Sequence, residues 1–259
     1  RRTPELAYVP SQCIGQKACG RCQVRCSQQA ITFDDDGNAA IQRTHCNQCQ
    51  DCVSVCPAKA LQTEGRIYTV EELLDSVEKD AVFYEHGNGG LTVSGGEPLS
   101  HPEFLKELLQ QAKQRHIHTA IETCGNAPYE ALQQVAPFLD MILFDIKSMN
   151  TQKHKEYTGW GNEQILENFT ALCRDFPTIP KCVRTPVIPG FDDTPEEIQA
   201  IRTFLQPFSN VTYEALPYHE FGRGKYKALG RPYPMGDVKL RDEMREYIAM
   251  INAQDLTAV

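Results

Sequence analysis

Cys46-Asn-Gln-Cys49-Gln-Asp-Cys52-Val-Ser-Val-Cys56-Pro57 is the stretch from which the rest of this chain is read. Three thiolates spaced two residues apart can wrap one corner of an iron–sulfur cube, while a fourth, three residues further on, reaches away to another cube. A looser copy lies upstream, Cys13-x5-Cys19-x2-Cys22-x3-Cys26, with Ser27 where the second run has Pro57. Gln29-Ala-Ile31 and Lys59-Ala-Leu61 follow the two copies in parallel, as in a duplicated half, and Asp34-Asp-Asp-Gly-Asn38 reads as a turn between the halves. Exchange of the fourth ligand assigns Cys13, Cys19, Cys22 and Cys56 to one [4Fe–4S] cluster, and Cys26, Cys46, Cys49 and Cys52 to a second. The competing reading is a zinc ribbon built on Cys19-x2-Cys22 and Cys46-x2-Cys49, which leaves four cysteines and the Cys-Pro step unused.

The whole chain has 259 residues and 11 cysteines. Outside the two runs only Cys124, Cys173 and Cys182 remain, and they read as ordinary packed thiols. Disulfide scaffolds are short and secreted, so thiols this dense ahead of an ordinary sequence read as metal ligands. A net charge of −8 argues against broad nucleic-acid binding through phosphate neutralisation. No apolar run approaches the roughly 18–20 residues of a membrane span, and no charged-then-apolar leader is visible. Neither a membrane nor a nucleic-acid partner is expected, and the cytoplasm is the expected compartment.

After residue 63 the pattern changes to alternating helices and strands. Thr69-Val-Glu-Glu72, Ser100-His-Pro-Glu103 and Thr194-Pro-Glu-Glu197 each offer a hydroxyl cap with Glu three residues on, predicting helix starts. Short apolar runs separate the helices: Gly90–Ser94, His118–Glu122, Met141–Ile146, Cys182–Val187 and Val211–Leu216. They are continuous, as in parallel strands covered on both faces. Strand and crossover helix in repetition predict a parallel α/β sheet, open or curled into part of a barrel.

Chemistry in such folds sits at the carboxyl ends of the strands. Those ends carry Ser94-Gly-Gly-Glu97-Pro98, Glu122-Thr123-Cys124-Gly125, Asp145-Ile-Lys147, Arg184-Thr-Pro-Val-Ile-Pro-Gly190 and Pro217-Tyr-His219. Paired glycines admit a ligand close to the backbone. Carboxylates at 97, 122 and 145 suit an ammonium and vicinal hydroxyls, and Lys147 with His219 suits a carboxylate. Together they describe a site for a zwitterionic amino acid bearing a ribose.

On these residues the chain resembles the glycyl-radical-enzyme activating enzymes of the radical S-adenosylmethionine (SAM) superfamily, pyruvate formate-lyase-activating-enzyme-like, in the subgroup with a ferredoxin-like two-cluster insertion. Besides the cysteine runs, the resemblance rests on Gly95-Gly-Glu-Pro98, Asp145-Ile-Lys147, Thr158-Gly159, Arg184–Gly190, Leu216-Pro-Tyr-His219 and Lys225-Tyr226. It implies a partial (β/α)6 TIM-like barrel lacking its first strand. The implied division is a linker over 1–12, a ferredoxin-like module over 13–62 and the barrel over 63–259. It also implies SAM held by Gly95, Gly96, Glu97, Glu122, Thr123, Asp145, Lys147 and His219, although the family more often has Asp at position 122.

The implied reaction is reductive cleavage of SAM by a third [4Fe–4S] cluster. The resulting 5′-deoxyadenosyl radical installs a glycyl radical on a partner enzyme, of the choline trimethylamine-lyase or glycerol dehydratase type for example. Flavodoxin or ferredoxin would donate electrons, the protein would be a monomer, and the setting would be anaerobic. The third cluster needs Cys-x3-Cys-x2-Cys, which this chain lacks: Gln29 and Lys59 stand where such triplets would close. The resemblance therefore implies an N-terminally truncated enzyme, inactive as written.

Two other readings compete. One is a non-catalytic ferredoxin-type electron-transfer module on an α/β scaffold. The other, a radical SAM enzyme with a small-molecule substrate, is disfavoured by the absence of an elaborated C-terminal domain after Ala249. Arg223, Lys225, Lys227 and Arg231, interleaved with Tyr226, are candidates to face an acidic donor or the substrate enzyme.

Overall fold

A computed structural model describes residues 3–87, 89–254 and 256. The chain divides into two compact units, Arg1–Tyr68 with His219–Asp237, and Thr69–Tyr218 with Val238–Val259.

The first unit is built from short elements: β1 (Glu5–Tyr8), α1 (Arg21–Arg25), β2 (Ile31–Phe33), β3 (Ala39–Ile41), α2 (Asp51–Ser54) and β4 (Leu61–Glu64). β1 and β4 pair antiparallel from Glu5↔Glu64 to Tyr8↔Leu61. Residues 1–12, expected as a linker, thus contain a strand that closes the unit. The expected turn joins β2 to β3, with the Asn38 N–H donating to Asp34 Oδ1 at 2.8 Å. The duplication seen in the sequence is repeated in the backbone. Gln29 and Lys59, each three residues after the last cysteine of its run, both take left-handed conformations, at φ 50° and 53°. Leu6, Ile31, Ala39 and Leu61 are buried together with Cys22 and Cys52.

The second unit runs α3 (Val70–Glu78), α4 (Ala81–Gly87), β5 (Leu91–Val93), α5 (Pro102–Gln114), β6 (Thr119–Thr123), α6 (Tyr129–Val135), β7 (Met141–Asp145), α7 (Thr151–Thr158), α8 (Glu163–Asp175), β8 (Lys181–Val187), α9 (Pro195–Leu205) and β9 (Val211–Pro217). After β9 the chain passes through α10 (Arg223–Ala228) of the first unit and returns as α11 (Asp242–Asn252). All five expected strands form one parallel sheet in the order β5-β6-β7-β8-β9.

The core of this unit lies on one face of the sheet. Ile121, Ile142, Phe144 and Val183 pack with Leu109, Leu132, Phe169 and Leu205 from the crossover helices. Val187 and Ala215 pack with Met244 and Ile248 of α11. The alternate residues Thr92, Glu122, Asp145, Arg184 and Glu214 remain half-exposed or exposed. The expectation of strands covered on both faces therefore holds for one face only, and the other presents charge.

Three helix starts were expected from capping pairs. Thr69 and Glu72 form the full reciprocal box at the start of α3. Thr194 forms half of one, accepting from the Glu197 N–H, while the Glu197 carboxylate turns to Ser148 and Lys153. Ser100 does not cap α5. It lies in a 3-10 turn, Pro98–Ser100, with its hydroxyl donating to the Glu97 carbonyl, and the helix starts instead at Pro102, whose fixed φ suits a first helical position. Among the described residues no helix is long and apolar enough to cross a membrane.

Candidate iron–sulfur chambers and strand-end site

The eight spaced cysteines fall into two chambers of the first unit. One is bordered by Cys13, Cys19, Cys22 and Cys56, together with Tyr8 and Phe33. The other is bordered by Cys26, Cys46, Cys49 and Cys52, together with Leu6 and Ile31. These are the two sets that ligand exchange between the runs predicts. A zinc ribbon would join Cys19 and Cys22 to Cys46 and Cys49, and the structure sends those pairs to different chambers. Among the described residues, no three His, Cys, Asp or Glu side chains converge on a position for a single ion. Donors that surround a space rather than a point fit a four-iron cube better than a lone zinc.

The thiols sit in contrasting surroundings. Burial pushes Cys52 up to about 11 and raises Cys22 as well. At Cys13 burial acts in the same direction, but backbone N–H groups of Ala39 and Gly15 outweigh it and lower the pKa. Cluster loading displaces the protons of the ligating thiols, so it is favoured by rising pH.

In the second unit the strand ends form a connected polar site. Gly95 lies at φ +128°, a conformation that favours glycine, and the space beyond Gly95 and Gly96 is open. Glu97 is anchored rather than free. Its Oε1 accepts from the Leu99 N–H at 3.0 Å and the Thr123 hydroxyl at 2.6 Å, and its Oε2 accepts from the Cys124 N–H at 3.0 Å. The Cys124 thiol also lies 3.1 Å from Oε2, and burial together with that carboxylate raises its pKa. Cys124, expected as an ordinary core thiol, belongs to this site. Gly125 is required behind it, because at φ +67° an added Cβ would stand 2.3 Å from the Phe144 ring.

On the open face, Arg184 Nη2 donates to Glu122 Oε1 at 2.7 Å, and Lys147 Nζ meets Asp145 Oδ2 at 3.1 Å. Asp145, Arg184 and Glu214 share one rung across β7, β8 and β9. Arg184 Nε is buried with no hydrogen-bond partner, an unsatisfied donor beside the strand ends. The pairing of Arg184 with Glu122 is absent from the sequence reading, since a whole strand, β7, and 62 positions separate the partners along the chain. Its only signal there is a basic residue at a strand end. Gly95, Gly96, Glu97, Glu122, Thr123, Asp145 and Lys147 all lie in this unit. His219 lies in the first unit, where its ring stacks on Phe221 at a centroid distance of 4.1 Å.

Open glycine backbone, carboxylates, a lysine and an orphaned donor fit an amino-acid nucleotide such as SAM. Three of the four cations in the basic segment are paired within the first unit, and Lys227 is exposed without an ion pair among the described residues. Lys225 pairs with Glu64 at 2.9 Å, Arg231 with Glu5 at 2.6 Å, and Arg223 with Glu220 and Asp237. These contacts, and the Arg43 bond to the Ala228 carbonyl at 3.0 Å, fasten α10 within the first unit.

Comparison with known proteins finds relatives for both parts of the chain. The profile of the radical SAM superfamily matches residues 44–205, and that of the 4Fe–4S dicluster domain matches residues 3–60. The isethionate sulfite-lyase activating enzyme of Desulfovibrio desulfuricans is 46% identical over 91% of this chain and 76% of that protein. The (2S)-3-sulfopropanediol sulfolyase activating enzyme of Bilophila wadsworthia is 46% identical over 92% of this chain and 79% of that protein. A crystal structure of a domain of pyruvate-formate lyase-activating enzyme from Bacteroides vulgatus is 29% identical, with a TM-score of 0.51, over 64% of this chain and 93% of that one.

Proposed function

Because this chain belongs to the radical SAM superfamily, among the activating enzymes of glycyl radical enzymes, we propose that its partner is a glycyl radical enzyme that releases sulfite from a small hydroxysulfonate. The observation that carries this partner class is the 46% identity, over nine-tenths of the chain, to activating enzymes of two sulfonate-cleaving lyases. When bound, SAM and a reduced [4Fe–4S] cluster supply the family's chemistry, a 5′-deoxyadenosyl radical that takes a hydrogen atom from a glycine Cα of the partner. The Cys-x3-Cys-x2-Cys triplet for that cluster does not occur in these 259 residues, so no step is derived through it.

The chain's own residues bind and orient. Gly95 and Gly96 leave backbone open to the SAM amino group, and Glu97 offers the carboxylate opposite it. Thr123 and the Cys124 N–H hold that carboxylate still, so the entropy of fixing it is met before the ligand arrives. Glu122 would stand alongside Glu97 at the amino group, Asp145 would take the ribose hydroxyls, and Lys147 the carboxylate. We assign the (β/α) arrangement to a partial barrel. The sheet's charged face is its interior, consistent with helices packed on the opposite face alone. The ferredoxin-like module, taken over residues 13–62, would relay electrons from flavodoxin or ferredoxin in an anaerobic cytoplasm, in a monomeric protein.

Lys147→Ala and Glu97→Ala should each weaken SAM binding by roughly 10- to 100-fold, the range for removing a hydrogen bond to a charged group. Thr123→Val should weaken it about tenfold, with Thr123→Ser restoring it. Calorimetry on the reconstituted chain decides this, and unchanged affinity in the first two variants rejects the site. For the partner, the reconstituted chain with SAM should bind a sulfonate-cleaving glycyl radical enzyme more tightly than an arylacetate-decarboxylating one. The reverse order rejects the partner class.

A further inference from the structure

Apart from its two chambers, the first unit carries an open groove between α1 and α2, bordered by Arg21, Val24, Arg25, Ser54, Cys56 and Pro57. Val24 is 89% exposed, an apolar side chain turned wholly to solvent. The two arginines flank it one turn apart on α1. Both are exposed, and neither has a partner among the described residues. No carboxylate borders the groove. Val55, Cys56 and Pro57 border both this groove and the chamber of Cys13, Cys19, Cys22 and Cys56, so the groove floor is also a chamber wall. The second chamber differs in charge. Its border includes Asp51 and no cation.

An apolar centre rimmed by cations, on a molecule whose net charge is −8, selects against most of its own surface and for an acidic partner. We propose that this groove is the docking surface for an acidic flavodoxin, with the chamber bordered by Cys56 as the point of electron entry. This rests on the reading that such a carrier reduces the chain. A flavodoxin presents the apolar edge of its flavin within an acidic rim, the complement of Val24, Val55 and Pro57 between Arg21 and Arg25. Small, weak redox encounters of this kind need only a modest contact area and are steered by charge. One electron passes from the reduced flavin, which is oxidised by one electron, to the cluster held by Cys13, Cys19, Cys22 and Cys56, which is reduced by one. No bond forms or breaks. Of the cations in the segment around α10, Arg223, Lys225 and Arg231 pair with carboxylates of the same unit, and Lys227, without an ion pair among the described residues, is a lone charge with no second cation to rim an apolar centre.

The test mixes the anaerobically reconstituted chain with flavodoxin hydroquinone in a stopped-flow instrument and follows cluster bleaching at low and high ionic strength. In parallel, the affinity of labelled flavodoxin is measured by fluorescence anisotropy. Arg21→Glu with Arg25→Glu should slow reduction about tenfold at low salt, flatten the salt dependence and weaken binding, with iron content and the rate with dithionite unchanged. Val24→Asp, which leaves both cations in place, should slow flavodoxin and not dithionite. Wild-type rates, salt slope and affinity in an iron-loaded charge-reversed variant place the docking surface elsewhere while the donor reading stands. A wild-type chain that dithionite reduces and flavodoxin does not removes the donor reading itself.

Discussion

The cysteine-bearing unit buries Leu6, Ile31, Ala39 and Leu61 around sulfur, under helices of four and five residues. The α/β unit buries Ile121, Phe144, Phe169 and Val183 under helices of up to thirteen. Helices so short cannot hold themselves together in water. Their register comes from ligand spacing, and the free energy that orders them comes from metal binding. The second unit has enough continuous apolar surface to order itself without a ligand, and leaves one sheet face free for charge. One chain thus contains a region whose structure depends on its cofactors and a region that is shaped before its cofactor arrives.

The strongest way to break this contrast is to take the iron out. A structural metal contributes on the order of 10 kcal/mol, so chelation should abolish amide-exchange protection over residues 3–68 while β6 and β7 keep theirs. The loaded chain should carry about eight irons. Equal loss of protection in both units, or stoichiometric zinc, ends the comparison. Next in size is Phe144→Ala. Phe144 is fully buried, with its ring 5.1 Å from that of Phe169, and the loss should be about 3–5 kcal/mol by denaturant melting, with iron content unchanged. A parallel fall in iron would show that the two units fold as one.

A third effect depends on pH. Asp192 is wholly buried, and burial pushes it up to about 7. Its folded pKa exceeds its unfolded value, so the stability it contributes is complete below the unfolded pKa and is lost as pH rises through the folded one. From pH 5 to pH 8 the α/β unit should lose about 2–3 kcal/mol on this account. Asp192→Asn, which keeps the acceptor for the Ile188 N–H, should lose less, and identical pH profiles would contradict the assignment. The smallest effect is at the start of α3, where Thr69→Ala removes half of a capping box and should cost about 1 kcal/mol without moving SAM affinity.

The two regions also differ in how far their sequences can be read. The eight spaced cysteines, and the two sets into which exchange between the runs divides them, are legible from covalent spacing, which folding cannot alter. The five strands are legible because a continuous apolar run has few other places to go. What escapes is tertiary. Cys124 looks like any small apolar residue until Glu97, 27 positions away, is folded against it. Arg184 reaches Glu122 across 62 positions, and Arg231 reaches Glu5 across 226, so neither leaves a local pattern. Ser100 misleads for the opposite reason. Its local cap signal is real, but Pro98 starts a tight turn that takes the hydroxyl first.

Each chamber borrows its fourth sulfur from the neighbouring cysteine run: Cys56 serves the first and Cys26 the second. Assembly of either cube therefore pins down the polypeptide needed for the other. Maturation should proceed as an all-or-nothing event, in which singly loaded molecules are scarce and damage to one cube exposes its twin.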